Sequence, residues 1–235
     1  MISPALRHTR ANSGLTFRPD ANCVLWLPGQ DDAWSAVIRD RSGKGNHGTL
    51  VGTTWARQSN GLWALSFDGN DYVNCGNAAS LYPTNPTFEC WVYVPSATQS
   101  GEDAIFGAAV GAGVGTAEPM LFEATSDLMG LQLVDTAAVT HSTFVARQMD
   151  AWVHLAATYN GTSQILYVNG VGQTPLAWTG TIKWGTSNFV IGCRQLAARD
   201  RFFVGKLALP RIYSRALSAP EILNHYNQER HLFNV

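Results

Sequence analysis

Cleaving a glycosidic bond takes two carboxyl groups flanking it. Three acids spaced Glu-x-Asp-x-Glu on a strand would all face one cleft, because side chains alternate with a period of two. The chain has no such run. Glu89 stands alone in Thr87-Phe-Glu-Cys-Trp-Val92, the adjacent Glu102 and Asp103 would point to opposite faces, and Glu118 and Glu123 flank a short apolar run. A pair assembled from different strands is the remaining route to hydrolysis. Nucleophilic chemistry has even less to work with: there is no Gly-x-Ser-x-Gly elbow and no cysteine in a protease signature. Gly43-Lys44-Gly45 lacks P-loop spacing and Gly107 to Gly115 misses Gly-x-Gly-x-x-Gly, so neither cradles a phosphate. His154, alternating with Trp152 and Thr158, could act as a base but reads as a structural histidine held by hydrogen bonds. His47 lies in a glycine-rich turn with no second His or Cys at metal spacing and reads as a loop residue.

Binding chemistry has a better lead in the eight tryptophans. Trp178 and Trp184 lie in the polar stretch Gln173-Thr-Pro-Leu-Ala-Trp-Thr-Gly-Thr-Ile-Lys-Trp-Gly185. An exposed indole stacks on the apolar face of a sugar or anchors a protein interface. Trp178 and Trp184 are therefore the ligand-binding candidates, set against the alternative that both pack onto the body of the fold. Trp26, Trp63, Trp91 and Trp152 sit inside strand patterns and read as structural.

The elements that must position these residues are short β-type runs between turn clusters, recurring from Cys23 to Tyr213 without intervening helical periodicity, which argues for a sandwich. In Trp152-Val-His-Leu-Ala-Ala-Thr-Tyr159 the set Val153, Leu155, Ala157 and Tyr159 forms the core face. Asn160-Gly161 then predicts a type I′ hairpin to the next strand. One segment, Ser218 to Arg230, is helical: Ser218 and Glu221 have capping-box spacing, Pro220 suits a first turn, and Ile222, Leu223 and Tyr226 form an apolar stripe. Residues 1–20 show neither periodicity and are expected to be a flexible arm, with one domain over residues 21–235.

Charged residues are only 14% of the 235, and the formal net charge of −1 gives no electrostatic footprint for nucleic acid or an anionic membrane. No apolar run approaches the roughly 20 residues needed to span a bilayer. The first twenty residues lack the apolar stretch and cleavage site of a secretory signal peptide, so the expected location is a virion or cell surface reached by other means, otherwise the cytoplasm. Asn160-Gly-Thr162 matches a glycosylation sequon, but the hairpin turn explains it better. Cys23, Cys75, Cys90 and Cys193 form no Cys-x-x-Cys pair; Cys90 and Cys193 lie in apolar strand contexts that favour buried thiols over disulfides.

Several phrases occur in an order that resembles laminin G-like, concanavalin A-like jelly-roll domains. They are Cys23-Val-Leu-Trp-Leu27, Asp40 with Ser42 to Leu50, Ala64-Leu-Ser-Phe-Asp-Gly-Asn-Asp-Tyr-Val73, Thr87 to Val92, Trp152 to Gly161, Tyr167-Val-Asn-Gly170, Ile191-Gly192 and Phe203-Val-Gly-Lys through Arg211-Ile-Tyr-Ser-Arg-Ala-Leu-Ser-Ala219. The resemblance implies an all-β jelly roll of two antiparallel sheets, used mostly as a non-catalytic module. In many relatives the strand ending in Arg-Ile-Tyr begins with an Ile-Asp-Glu or Ile-Asp-Asp triplet whose acids often stand near calcium; here Leu207, Ala208 and Leu209 occupy those places. Calcium takes about six to eight oxygens and relies on carboxylates. Asp68-Gly69-Asn70-Asp71 therefore reads as a turn, and no cofactor is expected, calcium being the one ion its oxygens could take. The leading expectation is a non-enzymatic module binding a glycan or a cell or particle surface. Alternatives are a virion structural protein, such as a capsid decoration or tail component, that contacts other virion proteins through its arm, with a homo-oligomer as a further expected partner state, and a laminarinase-type glycoside hydrolase.

Overall fold

The computed structural model describes residues 15–96, 103–108, 120–125, 128–185, 187–194 and 200–235, with 120–125 and Ala108 as backbone. Glu102 and Glu118 lie outside the described residues, as do residues 1–14 of the stretch 1–20 expected to be an arm. The first half of the chain forms β1 (Cys23–Trp26), β2 (Val37–Ile38), β3 (Gly48–Val51), β4 (Thr54–Arg57), β5 (Trp63–Asp68), β6 (Tyr72–Asn74) and, past a 3-10 turn at Ala79–Leu81, β7 (Thr87–Tyr93). Next come β8 (Asp103–Ala108), β9 (Met120–Thr125), β10 (Leu128–Val134), β11 (Thr140–Ala146) and β12 (Trp152–Tyr159). The remainder is β13 (Ser163–Val168), β14 (Val171–Gly172), β15 (Leu176–Ala177), β16 (Phe189–Ile191), β17 (Val204–Tyr213) and one helix, α1 (Ala219–Glu229), followed by a 3-10 turn at Arg230–Leu232.

These strands make two antiparallel sheets, the expected jelly roll. One runs β14-β13-β12-β7-β17-β5-β4, with β1 on β17 and β15 on β13; the other runs β11-β10-β9-β8-β16-β6-β3-β2. Between them lies the main core, which includes Leu65, Phe67, Phe88, Val92, Phe106, Leu131, Leu133, Phe189 and the four β12 residues Val153, Leu155, Ala157 and Tyr159. At about 25 cal/mol per Å² of apolar surface, this interdigitated layer is the dominant source of stability.

The opposite face of β12 is also buried. His154 and Ala156 are 0% exposed and Thr158 is 4% exposed. The outer face of the larger sheet is roofed by two further apolar clusters, one with Phe17, Trp26, Tyr213 and Ile222, the other with Trp91, Leu209, Leu232 and Phe233. Phe17, 2% exposed, packs edge-on against Trp26 at 5.1 Å. Leu15 and Phe17, within the stretch 1–20 expected to be an arm, thus pack against the body of the fold.

Two local expectations are corrected. The β12–β13 connection is not a two-residue turn: Tyr159 pairs with Gln164, and of Asn160 and Gly161 only Gly161 has positive φ, +94°. The Asn160 side-chain oxygen instead accepts the N–H groups of Thr162 (3.0 Å) and Ser163 (2.9 Å), an Asx-type closure of a longer loop. In α1 the capping box forms, with Glu221 accepting the Ser218 N–H at 2.8 Å, but Leu223 is 43% exposed and only Ile222 of the stripe is fully buried. Gly170, at φ +79°, lets the helix sit close: a Cβ there would lie 2.9 Å from Leu223 Cδ1.

Candidate functional site

Three adjacent strands and α1 assemble the densest set of chemical groups. Glu89 on β7 lies opposite Arg211 on β17 and Ala156 on β12. Ala208 and Arg211 are three residues apart, so a regular strand would send them to opposite faces. A bulge intervenes: Leu209 takes φ +53°, and the pairing with β7 slips between Ala208 and Arg211. The extra residue turns Arg211 back to the face that carries Ala208 and Trp91, under α1.

There the Arg211 guanidinium bridges two carboxylates, donating to Glu89 (2.5 Å) and to both oxygens of Glu229 (2.5 and 3.1 Å). His154 Nε2 lies 2.8 Å from Glu89, His225 Nδ1 lies 3.1 Å from it, and the Trp91 indole donates to Glu229 at 2.8 Å. Phe17 closes the cluster with its ring 4.2 Å from the guanidinium carbon. Glu89, His154, Arg211 and Glu229 are all 0% exposed. Burial pushes the Glu89 pKa up, but the Arg211 charge and the hydrogen bonds from His154 and His225 outweigh it and hold the carboxyl well below the usual range.

Two carboxylates thus do come together, from β7 and α1, in a form that does not suit hydrolysis. A glycosidase acid needs a raised pKa and a cleft for the sugar, whereas Glu89 is held ionised and sealed. What the cluster can do is clamp α1 to the sheet. His154 takes the structural role expected of it. Glu89, read as alone, is at the centre, because its partners come from β17 and α1, far along the chain.

Trp178 is 8% exposed. Its indole lies parallel to His141 (centroids 3.9 Å apart) and Tyr159 (4.1 Å), and its N–H donates to Gln164 at 2.9 Å. Trp184 is part-buried against Phe88 and Tyr82, and donates to the Pro83 carbonyl at 3.0 Å. These contacts give both indoles a packing role, and for Trp178 they cover the ring surfaces on which a sugar would stack.

The Asp68–Asp71 turn is closed by its own groups. Asp71 accepts the Asp68 N–H at 2.9 Å, and the Asn70 amide, in the orientation its neighbours require, donates to Asp68 (3.1 Å) and Asp71 (2.9 Å). Among the described residues no cluster of three or more His, Cys, Asp or Glu is arranged to hold a metal ion. The four cysteines are buried thiols, and burial pushes Cys23 and Cys75 up to about 12.

The Asp40–Leu50 loop is built on the buried Asp40 carboxylate, which accepts the N–H groups of Trp26 (2.9 Å), Ser42 (2.8 Å) and Asn46 (2.9 Å). Asn46 reaches across to the Val24 carbonyl at 2.7 Å. The Asp40 N–H in turn donates to His47 Nδ1 at 3.0 Å, which ties the ring to the loop and leaves Nε2 as its other polar atom. The loop forms one wall of an open cleft of about 450 Å³, whose lining includes Asn46, His47, Thr49, Asn74 and Asn77 and holds no carboxylate. His47, Thr49 and Asn77 are exposed. Sequence reasoning set His47 aside as a loop residue; its place seven residues after an aspartate that organises the loop was the signal available.

Among the described residues no helix is long and apolar enough to cross a membrane. No curated protein sequence matches the chain closely enough to serve as a relative. Solved structures do resemble it in fold. Domain 4 of AbnA, a GH43 extracellular arabinanase from Geobacillus stearothermophilus seen in complex with arabinotriose, superposes with a TM-score of 0.67 at 16% identity, covering 86% of this chain and 97% of that one. The receptor binding domain of botulinum neurotoxin mosaic serotype C/D gives 0.66 at 16% identity over 88% of this chain and 51% of that one. The binding domain of botulinum neurotoxin DC, in complex with rat synaptotagmin II, gives 0.66 at 11% identity over 88% and 51%. The chain spans about half the length of the toxin binding domains it matches. The family model Laminin_G_3, described as the concanavalin A-like lectin/glucanases superfamily, matches residues 67–223, more than half of the chain. The chain belongs to that superfamily.

Proposed function

We propose that this protein is a non-enzymatic recognition module that holds a glycan displayed on a cell or particle surface, with the His47 cleft as its binding site. The observation that carries this reading is the lining of the cleft. It offers polar groups from His47, Thr49, Asn74 and Asn77, of the kind that match sugar hydroxyls, and no acid that could protonate a leaving oxygen. The buried bridge between Glu89, Arg211 and Glu229 supports the non-enzymatic part, because it removes a carboxylate pair from reach of any substrate. The fold is also that of a domain seen with arabinotriose and of one seen with synaptotagmin II, which supports a glycan or protein partner in general terms.

The test is a glycan-array screen of the wild type beside His47→Ala and Asn77→Ala, with Trp178→Ala and Trp184→Ala as the competing site. Losing one such hydrogen bond in a cleft is worth about 1 kcal/mol or more, so each cleft variant should bind roughly five- to tenfold more weakly. A wild type that binds nothing on the array sinks the reading. Binding lost only in the tryptophan variants moves the site to Trp178 or Trp184. Release of shorter sugars from a bound oligosaccharide would overturn the non-enzymatic assignment.

A further inference from the structure

We propose that Trp34 and Trp63 form a second, separate contact: a stacking platform for a pyranose ring of a bound glycan. This rests on the recognition reading above and adds a site to it. The indole of Trp34 is 82% exposed, a rare condition for the largest apolar side chain. Its backbone sits at φ +73°, in the left-handed region that costs an L residue about 1–2 kcal/mol and that glycine or asparagine would occupy more comfortably. Stability alone favours neither the exposure nor the conformation. Strain of this kind concentrates where a ligand is held.

The turn that carries Trp34 is rigid. Asp32 donates its N–H to the Gly29 carbonyl (3.0 Å) and accepts that of Ser35 on its own carbonyl (2.8 Å). The Asp32 carboxylate, 2% exposed as a residue, receives the Arg39 N–H at 2.8 Å and the Arg39 Nε at 2.6 Å. The Ser35 carbonyl accepts the Trp55 indole N–H at 3.1 Å. The Trp34 ring meets Trp63 edge-to-face at 5.5 Å and 75°. Trp63 is pinned in turn by Gln30, whose amide accepts from its N–H (2.8 Å) and donates to its carbonyl (2.9 Å). The backbone that carries the two indoles is thus fixed before any ligand arrives, and the edge contact with Trp63 supports the Trp34 ring, which lowers the entropy lost on binding.

The surroundings select the ligand class. The exposed polar neighbours are Asp31 in the same turn, Arg39, and Arg57, whose guanidinium lies 5.8 Å from the Trp63 ring centre, while among the described residues Val37 is the one large apolar side chain exposed beside the turn. A protein hot spot is usually framed by a broad apolar patch. One flat ring among charged groups instead suits a ligand with a single apolar face rimmed by hydroxyls, which describes a pyranose. Arg57 supplies N–H donors for hydroxyls or for a sugar carboxylate. Because β2 and β3 run antiparallel, with Val37 opposite Thr49, the platform lies at the other end of that hairpin from the His47 cleft.

The array screen above, extended with Trp34→Ala, Trp34→Phe and Arg57→Ala, tests this, followed by calorimetric titration of cellotetraose and of tetragalacturonate as neutral and acidic probes. Trp34→Ala should weaken pyranoside binding at least tenfold with an unchanged Tm, and Trp34→Phe should fall between it and wild type. A loss in Arg57→Ala confined to tetragalacturonate identifies the acidic arm, and an equal loss on both identifies hydroxyl recognition. If glycans bind and His47→Ala impairs them while Trp34→Ala does not, the platform is wrong and the recognition reading stands. If neither probe binds and sedimentation shows a concentration-dependent dimer that Trp34→Ala abolishes, the platform belongs to a second copy of the chain and the proposal is overturned.

Discussion

Under α1 and at the Trp34 turn the molecule uses polar and aromatic groups in opposite ways. Beneath the helix, two acids, an arginine and a histidine are sealed at 0% exposure and bonded to one another, with His154 Nδ1 and Arg211 Nε left unpartnered. At Trp34, an indole is 82% exposed on a backbone that would prefer another residue. The sealed cluster has the residue types of a catalytic site without access; the open turn has access with almost no reactive chemistry. What separates them is accessibility, and that difference makes one region a matter of stability and the other a candidate for binding.

Substitutions should keep the two effects apart. The largest change is expected from Arg211→Ala, which leaves Glu89 and Glu229 as uncompensated buried charges and should cost about 3–5 kcal/mol in urea unfolding. Binding in the surviving folded fraction should be unchanged; a loss below about 1 kcal/mol would mean that the cluster is not what fixes α1. Trp178→Ala follows, at about 3–5 kcal/mol, since it removes a stacked core indole and strands the Gln164 amide oxygen. A marginal change in the unfolding midpoint would return Trp178 to the list of surface groups.

Acid should weaken the sealed region, along with the Glu221 cap of α1, whose carboxyl is also held low, at about 2, by Arg215. The Glu89 pKa is depressed in the folded state, so the stabilisation it gives is present above the unfolded value, about 4.3, and is lost as pH falls through the folded value. Unfolding free energy measured at pH 7, 4 and 3 should therefore drop below about pH 4, and Glu89→Gln should flatten that slope. The smallest effect is expected at the open turn: Trp34→Gly relieves left-handed strain of about 1–2 kcal/mol and gives back part of it as chain entropy. Its Tm should hold or rise slightly, and a clear fall would show that Trp34 is a packing residue.

Much of this architecture was legible beforehand. The core face of β12 followed from period-two alternation, and the start of α1 from Ser218 and Glu221, since both depend on spacing along a few residues. The turn at Asn160 was placed correctly but given the wrong geometry, because the asparagine side chain, rather than a positive φ at Asn160, closes it. The Leu207-Ala-Leu209 stretch was noticed for the acids it lacks. Its actual contribution is the bulge that turns Arg211 inward, and a one-residue slip leaves no mark in composition.

The sequence by itself determined the fold class, the superfamily, the strand faces and the absence of local catalytic motifs, since each is written in residue types a few positions apart. Only the tertiary structure decided which side chains meet and which meet water. Glu89 and Glu229 are 140 residues apart and share one guanidinium, while Trp178 and Trp34, both set among polar residues, end at 8% and 82% exposure. Burial is set by what folds over a residue from elsewhere in the chain, and no local pattern encodes it.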